Sequence, residues 1–195
     1  SFAVKVLDTH AGRIAFAVLC DGMGGLSKGE VASATVVAAF SEWAVTRLPV
    51  LCEQSLTDES FAAELKSLTT ACNEKIMAYG RRCGVSLGTT VTVLLLTGTR
   101  YYILNVGDTR VYELIDRAHL LTRDQTLVAQ EVTLGLLTPE EARRDPRRSV
   151  LLQCVGASQV VAPDFFFGET APDAVYMLCS DGFRHEISRE EIFAA

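Results

Sequence analysis

Two packed antiparallel β-sheets flanked by antiparallel α-helices, a four-layer α+β sandwich, is the architecture this sequence predicts, and three observations carry it. Strand-like runs come as a pair at the start of the chain, and helical runs come as a pair directly after them. Residues 90–115 hold three β-branched and aromatic runs separated by short turns, which reads as an antiparallel meander. Two apolar runs, Ala15–Cys20 and Val175–Cys179, end on carboxylates backed by glycine, in Asp21-Gly22 and Ser180-Asp181-Gly182.

The elements follow in order. Phe2–Leu7 and Arg13–Cys20, joined across Asp8 to Gly12, predict a hairpin. From about Gly29 to Arg47, Val36, Val37, Phe40, Trp43 and Ala44 recur at helical spacing, and Pro49 is expected to stop that helix. Thr57 and Ser60 offer caps for a second helix, in which Phe61, Leu65, Leu68, Cys72, Ile76 and Tyr79 keep one stripe through to Arg81. Apolar faces this wide must cover a sheet. Thr90–Leu96, Arg100–Val106 and Arg110–Ile115 form the expected meander, and His119–Thr122 adds a short strand. Asp124–Glu131 and the segment opening at Thr138-Pro139-Glu140-Glu141 read as short helices, with Pro139 at a first helical position. The interval between them and the next strand is long and polar, as a flap would be. Ala174–Cys179 returns to buried strand, and Ser188 opens a last helix.

Composition narrows the function classes. At 195 residues the chain reads as one domain, large enough to bury about 70% of the surface its unfolded form exposes. The six cysteines, at positions 20, 52, 72, 83, 154 and 179, form no C-x-x-C pair and predict reduced thiols in a cytoplasmic protein. His10, His119 and His185 are far apart, so a zinc site is not expected. A net charge of -6 argues against nucleic acid or an anionic membrane as partner. Arg143, Arg144, Arg147 and Arg148 interleave with Glu140, Glu141 and Asp145, which reads as a solvated face before it reads as a phosphate grip. No apolar run reaches the length of a membrane span, and the start has no leader pattern.

Chemistry concentrates at the strand-end carboxylates. Asp-Gly is also the commonest hairpin turn, so three ordinary turns in a structural sandwich is one reading. Against it, Gly25 leads into a helical pattern and not a returning strand, and a third copy, Val106-Gly107-Asp108-Thr109, lies between two further strands. A phosphate-binding P-loop is excluded because Lys28 precedes Gly29 and Glu30 follows it. A dinucleotide fingerprint is excluded because Ser27 stands where its third Gly or Ala would be, and no parallel βαβ unit surrounds the stretch. What remains is a hard-cation site of carboxylates and backbone carbonyls, suited to Mg²⁺, Mn²⁺ or Ca²⁺.

These residues together resemble the metal-dependent Ser/Thr protein phosphatases of type 2C, in their bacterial form. Asp21-Gly22-Met23-Gly24-Gly25 is similar to that family's first metal motif, Gly88-Thr89-Thr90 to the start of its central strand, and Val106–Tyr112 to its next signature. Leu121–Asp124, Leu136–Ala142, Pro146-Arg147 and Val155-Gly156 resemble the segment carrying its flap, and Cys179-Ser180-Asp181-Gly182 its late metal motif. The resemblance implies two Mn²⁺ or Mg²⁺ ions and a possible third. It makes Asp21 the bridging ligand, gives the Gly22 carbonyl to one ion and Asp181 to the second, and sets Asp108 with Asp181 at a weaker third. It implies hydrolysis of phosphoserine and phosphothreonine in protein substrates of a Ser/Thr kinase, by a metal-activated water and without a nucleophilic side chain. Ser180 accordingly reads as a polar residue at a strand end. Met23 stands where members outside bacteria place a histidine, and Gln125 where a histidine is common.

The departures from the pattern carry expectations of their own. The family's phosphate-binding arginine and an acidic pair would fall just before Ser1, and its late Asp-Asn pair beyond Ala195. Residues 1–195 are therefore expected to form a phosphatase-like domain lacking the family's first and last strands, with impaired activity. The alternative is an inactive phosphatase-like module for binding or sensing.

Overall fold

The computed structural model describes residues 1–10, 12–23, 28–187 and 189–194. Gly24 and Gly25 of the first carboxylate motif, and Ser188, lie outside the described residues. Strand β1 (Phe2–Thr9) folds back on β2 (Gly12–Leu19), as the alternating apolar pattern predicts. Two sheets result. The first has five strands in the order β1-β2-β3-β4-β7, with β3 (Val91–Leu96) at its centre, β4 (Arg100–Val106) beside it and β7 (Asp164–Glu169) at the edge. The second has three, β6-β5-β8, built from β5 (Arg110–Leu114), β6 (Ala118–Leu120) and β8 (Val175–Cys179). Every pairing is antiparallel.

Three apolar layers hold this arrangement. Helix α1 (Gly29–Thr46), α2 (Leu48–Glu53) and α3 (Asp58–Cys83) cover one face of the first sheet, where Phe16, Val36, Phe40, Trp43, Phe61 and Leu104 are buried together. Between the sheets, Leu94 and Ile103 of the first pack against Val111 of the second, with Tyr101, Phe166, Tyr176 and Leu178 around them. Outside the second sheet, Ile192 of α7 (Arg189–Ala194) packs on Tyr112, Ala118 and Cys179. Thr57 caps α3 by accepting from the Ser60 N–H, and the Ser60 hydroxyl accepts from the Thr57 N–H in return, the reciprocal box that Thr57 and Ser60 suggested.

The structure corrects four expectations. Pro49 does not end helical structure, because it stands in the first turn of α2, where a missing N–H costs nothing. The expected meander breaks after β4: β5 leaves the first sheet and pairs with β6 and β8 in the second. The turn at Gly107, with φ 106°, gives its N–H to the Gln125 side chain in place of a neighbouring strand. Asp164–Glu169, read as polar interval, is strand β7, and its three phenylalanines carry the apolar signal. Asp181 follows the end of β8 as expected, but it also opens a short helix, α6 (Asp181–Glu186), where no helix was expected.

The remaining interval carries α4 (Leu127–Thr133), capped by Thr126, and α5 (Pro139–Arg144), capped by Thr138. Its base is closed by pairing of Thr126 with Leu151. Arg147 bonds Glu131 and Asp145, and Arg143 bonds Glu140, so these two arginines sit in a solvated network of the kind their spacing suggested. Among the described residues, no helix is long and apolar enough to cross a membrane.

Candidate metal centre

Asp21 lies two residues past the end of β2, where the strand pairing with β3 gives way to side-chain bonds. Its N–H donates to the Thr90 hydroxyl at 2.9 Å, and its carbonyl accepts from the Thr90 N–H at 2.9 Å and the Thr89 hydroxyl at 3.0 Å. The backbone of Asp21 is thereby pinned to the end of the central strand. Gly22 pairs with Thr89, and a Cβ on Gly22 would stand 2.4 Å from the Gly29 carbonyl oxygen. Glycine at 22 therefore lets the start of α1 close against the strand end that carries Asp21.

Asp181 arrives from the other sheet. Strand β8 ends at the buried Cys179, and Asp181 is the first residue of α6. Its carboxyl lies near that of Asp21, which is half-buried. Burial first, and the Asp181 charge second, push the Asp21 carboxyl above the usual aspartate value. Two carboxylates from ends of different sheets thus meet at one point.

Asp108 follows the Gly107 turn at the crossover from β4 to β5 and is 6% exposed. The last pair between β5 and β8 is Arg110 with Cys179, so Asp108 and Asp181 leave the same end of neighbouring strands. Gln125, also buried, brackets the turn: its side-chain oxygen accepts from the Gly107 N–H at 2.8 Å, and its own N–H donates to the Gly107 carbonyl at 3.0 Å. The same side-chain oxygen accepts from Gln153 at 2.9 Å. Among the described residues, no three His, Cys, Asp or Glu side chains gather into a group that could hold a metal ion. The structure thus joins Asp21 to Asp181 and sets Asp108 at the same end of the sandwich without forming a threefold cluster.

The donor set nonetheless suits a hard divalent cation. A carboxyl held above its ordinary pKa by burial and by a neighbouring carboxyl is relieved when a cation is bound between the two, and hard oxygen donors favour Mg²⁺ or Mn²⁺ over softer metals. Thiolate chemistry does not compete at this point, since Cys20 is buried and burial pushes its thiol well above the usual range. Sequence reasoning missed the supporting residues. Thr90 and Thr109 passed as strand and motif positions, and Gln125 was visible only as a departure from a pattern.

A two-sheet sandwich with carboxylates meeting at its strand ends defines an α+β domain with a candidate site for divalent cations. Residues 3–195 match the model of the family described as protein phosphatase 2C, and the chain belongs to that family. It is 33% identical over 180 residues to the serine/threonine protein phosphatase PstP of Mycobacterium tuberculosis, covering 91% of this chain and 33% of PstP. The chain thus spans about a third of the length of that relative. Among solved structures, serine/threonine phosphatase Stp1 from Staphylococcus aureus superposes with a TM-score of 0.83 at 27% identity, covering 98% of this chain and 74% of that one. The catalytic domain of PstP in complex with two manganese ions superposes with a TM-score of 0.74 at 28% identity, covering 100% of this chain and 83% of that one.

Proposed function

We propose that this domain hydrolyses phosphoserine and phosphothreonine in proteins, using Mn²⁺ or Mg²⁺ held at Asp21 and Asp181. The observation that carries the reading is the meeting of these two carboxyls from the ends of different sheets, in a chain whose family relatives are named Ser/Thr phosphatases. Asp21 would bridge two ions, the Gly22 carbonyl would complete one, Asp181 would hold the other, and Asp108 would join Asp181 at a weaker third. When bound, the ions supply a water of pKa lowered from 15.7 toward ~7 and positive charge for the phosphoryl oxygens. The chain's own residues supply placement: Thr89 and Thr90 hold the Asp21 backbone, and Gln125 holds the turn that carries Asp108. The substrates are proteins phosphorylated by a Ser/Thr kinase, and the six free cysteines support a cytoplasmic setting.

Activity of residues 1–195 by themselves is expected to be weak, because among the described residues only a pair of carboxylates meets. We also propose that the domain is completed by further strands along the open edge of β8. In support, among the described residues the first sheet has five strands and the second three. A second reading, an inactive module for binding or sensing, is favoured by the same shortage of carboxylates.

Calorimetry and thermal melting with Mn²⁺ test the site. Mn²⁺ should bind and raise the melting temperature, since a ligand held only by the folded state stabilises it. Asp21→Asn should abolish this, and Asp108→Asn should weaken only a further ion. An unchanged melting temperature in saturating Mn²⁺ counts against the site. Feeble hydrolysis of a phosphothreonine peptide by residues 1–195, restored in a longer polypeptide that supplies the missing carboxylates and abolished by EDTA, supports the enzyme. A longer polypeptide that holds those carboxylates and stays inactive supports the binding module.

A further inference from the structure

We propose that Thr90 is the positioning residue of the cation site, the side chain through which Asp21 and the Asp108 turn are held in one geometry. The inference rests on the phosphatase reading and goes beyond it in assigning the link between the Asp21 and Asp108 segments to one hydroxyl.

Thr90 is 2% exposed, just ahead of the central strand β3, with the end of β2 on one side and the end of β4 on the other. Toward β2, it satisfies both backbone groups of Asp21: its hydroxyl accepts the Asp21 N–H at 2.9 Å, and its own N–H donates to the Asp21 carbonyl at 2.9 Å. With both groups tied, the direction in which the Asp21 side chain leaves the backbone is set. Across the site, the same hydroxyl lies 3.0 Å from the hydroxyl of Thr109, which is buried and is the residue after Asp108. Toward β4, a Cβ on Gly107 would stand 2.6 Å from the Thr90 methyl carbon, so that methyl is seated against the bare α-carbon of the turn.

The two branches of the side chain therefore do separate things. The hydroxyl joins Asp21 to Thr109, and the methyl packs the Gly107 turn. No water is needed to complete the bond between the hydroxyls, and a buried hydroxyl pair loses its full value when one partner is removed. Because a carboxylate contributes to cation affinity only where it is aimed correctly, groups that orient ligands typically account for ~10–100-fold in metal affinity.

The branches can be removed one at a time. Thr90→Val keeps the methyl and the shape but deletes the hydroxyl, and Thr90→Ser keeps the hydroxyl but deletes the methyl. Measured by titration calorimetry with Mn²⁺ as the probe, Thr90→Val should weaken binding by about 10-fold or more, and Thr90→Ser should restore most of it. Thr109→Val, which leaves the Asp21 bonds intact and cuts the tie to the Asp108 segment, should weaken the further ion that Asp108 joins. A merely structural role would lower the melting temperature of the metal-free protein and leave the Mn²⁺ affinity of the folded fraction unchanged. Wild-type affinity in Thr90→Val, or a loss in Thr90→Ser equal to that in Thr90→Val, overturns the proposal. So does wild-type affinity for that further ion in Thr109→Val, which also serves if Thr90→Val does not fold. Absence of Mn²⁺ binding by the wild-type protein would instead overturn the phosphatase reading itself.

Discussion

At Asp21 the chain places a carboxyl where burial, and after it the Asp181 charge, raise its pKa above 3.8. A raised folded-state value means the metal-free protein binds that proton more tightly than the unfolded chain does. The contribution of the group to stability is therefore full below 3.8 and is lost as pH rises through the raised value. Cation binding needs the ionised form and opposes the loss. Without metal, the stability of wild type relative to Asp21→Asn should fall as pH rises through that window, and the melting increment produced by Mn²⁺ should grow across it. An increment independent of pH over the window would count against Asp21 as a ligand. The residue was legible in the sequence because an apolar run ends on it, but its contact with Asp181 was not. Gln125 shows the limit from the other side: a glutamine in a polar stretch gives no local sign that its side-chain oxygen will receive the Gly107 N–H.

Among the elements, the crossover from β4 to β5 matters most for the site, since it carries Asp108 between the sheets. Gly107 adopts φ 106° and a Cβ there would collide with Thr90, whereas Gly84, which ends α3, adopts φ 64° with open space around it. The two glycines separate backbone strain from collision. Gly84→Ala should cost about 1 kcal/mol, the price of a left-handed conformation, while Gly107→Ala should cost well above that and also weaken Mn²⁺ binding. Denaturant unfolding of the two variants checks this, and equal costs would show that the contact with Thr90 carries little. The meander expectation failed at this element because three β-prone runs with short turns look alike whether the third stays in the sheet or crosses. Strand β7 was missed because Phe165–Phe167 lies in a stretch bounded by Pro163 and Gly168, where turn residues outweighed three aromatics.

Over the whole molecule, the sheets differ in width, and the difference exposes apolar surface. Phe2, Val4 and Val6 of β1 are 74%, 61% and 60% exposed on the face away from the helices, paired with Leu19, Ala17 and Ala15 of β2. Further along the same face, Leu94 is buried against the second sheet. Strand β8, the open edge of that sheet, exposes Val175 as well. Residues 1–195 alone should therefore bind a dye that reports apolar surface and should self-associate, and Val4→Lys with Val6→Lys should reduce both. A monomer that binds no such dye would show that this face needs no cover.

The sequence alone determined the class of fold, most of its helices and strands, and the strand ends on which Asp21 and Asp181 stand. It could do so because burial on one face imposes a period of 3.6 or 2 on the residues of an element, and that signal is local. Only the tertiary structure decided which sheet receives β5, that the Asp21 and Asp181 carboxyls meet, and that Thr90 binds Asp21 from 69 positions away. Those partners are chosen by how the two sheets stack, and no local pattern of side chains records that choice.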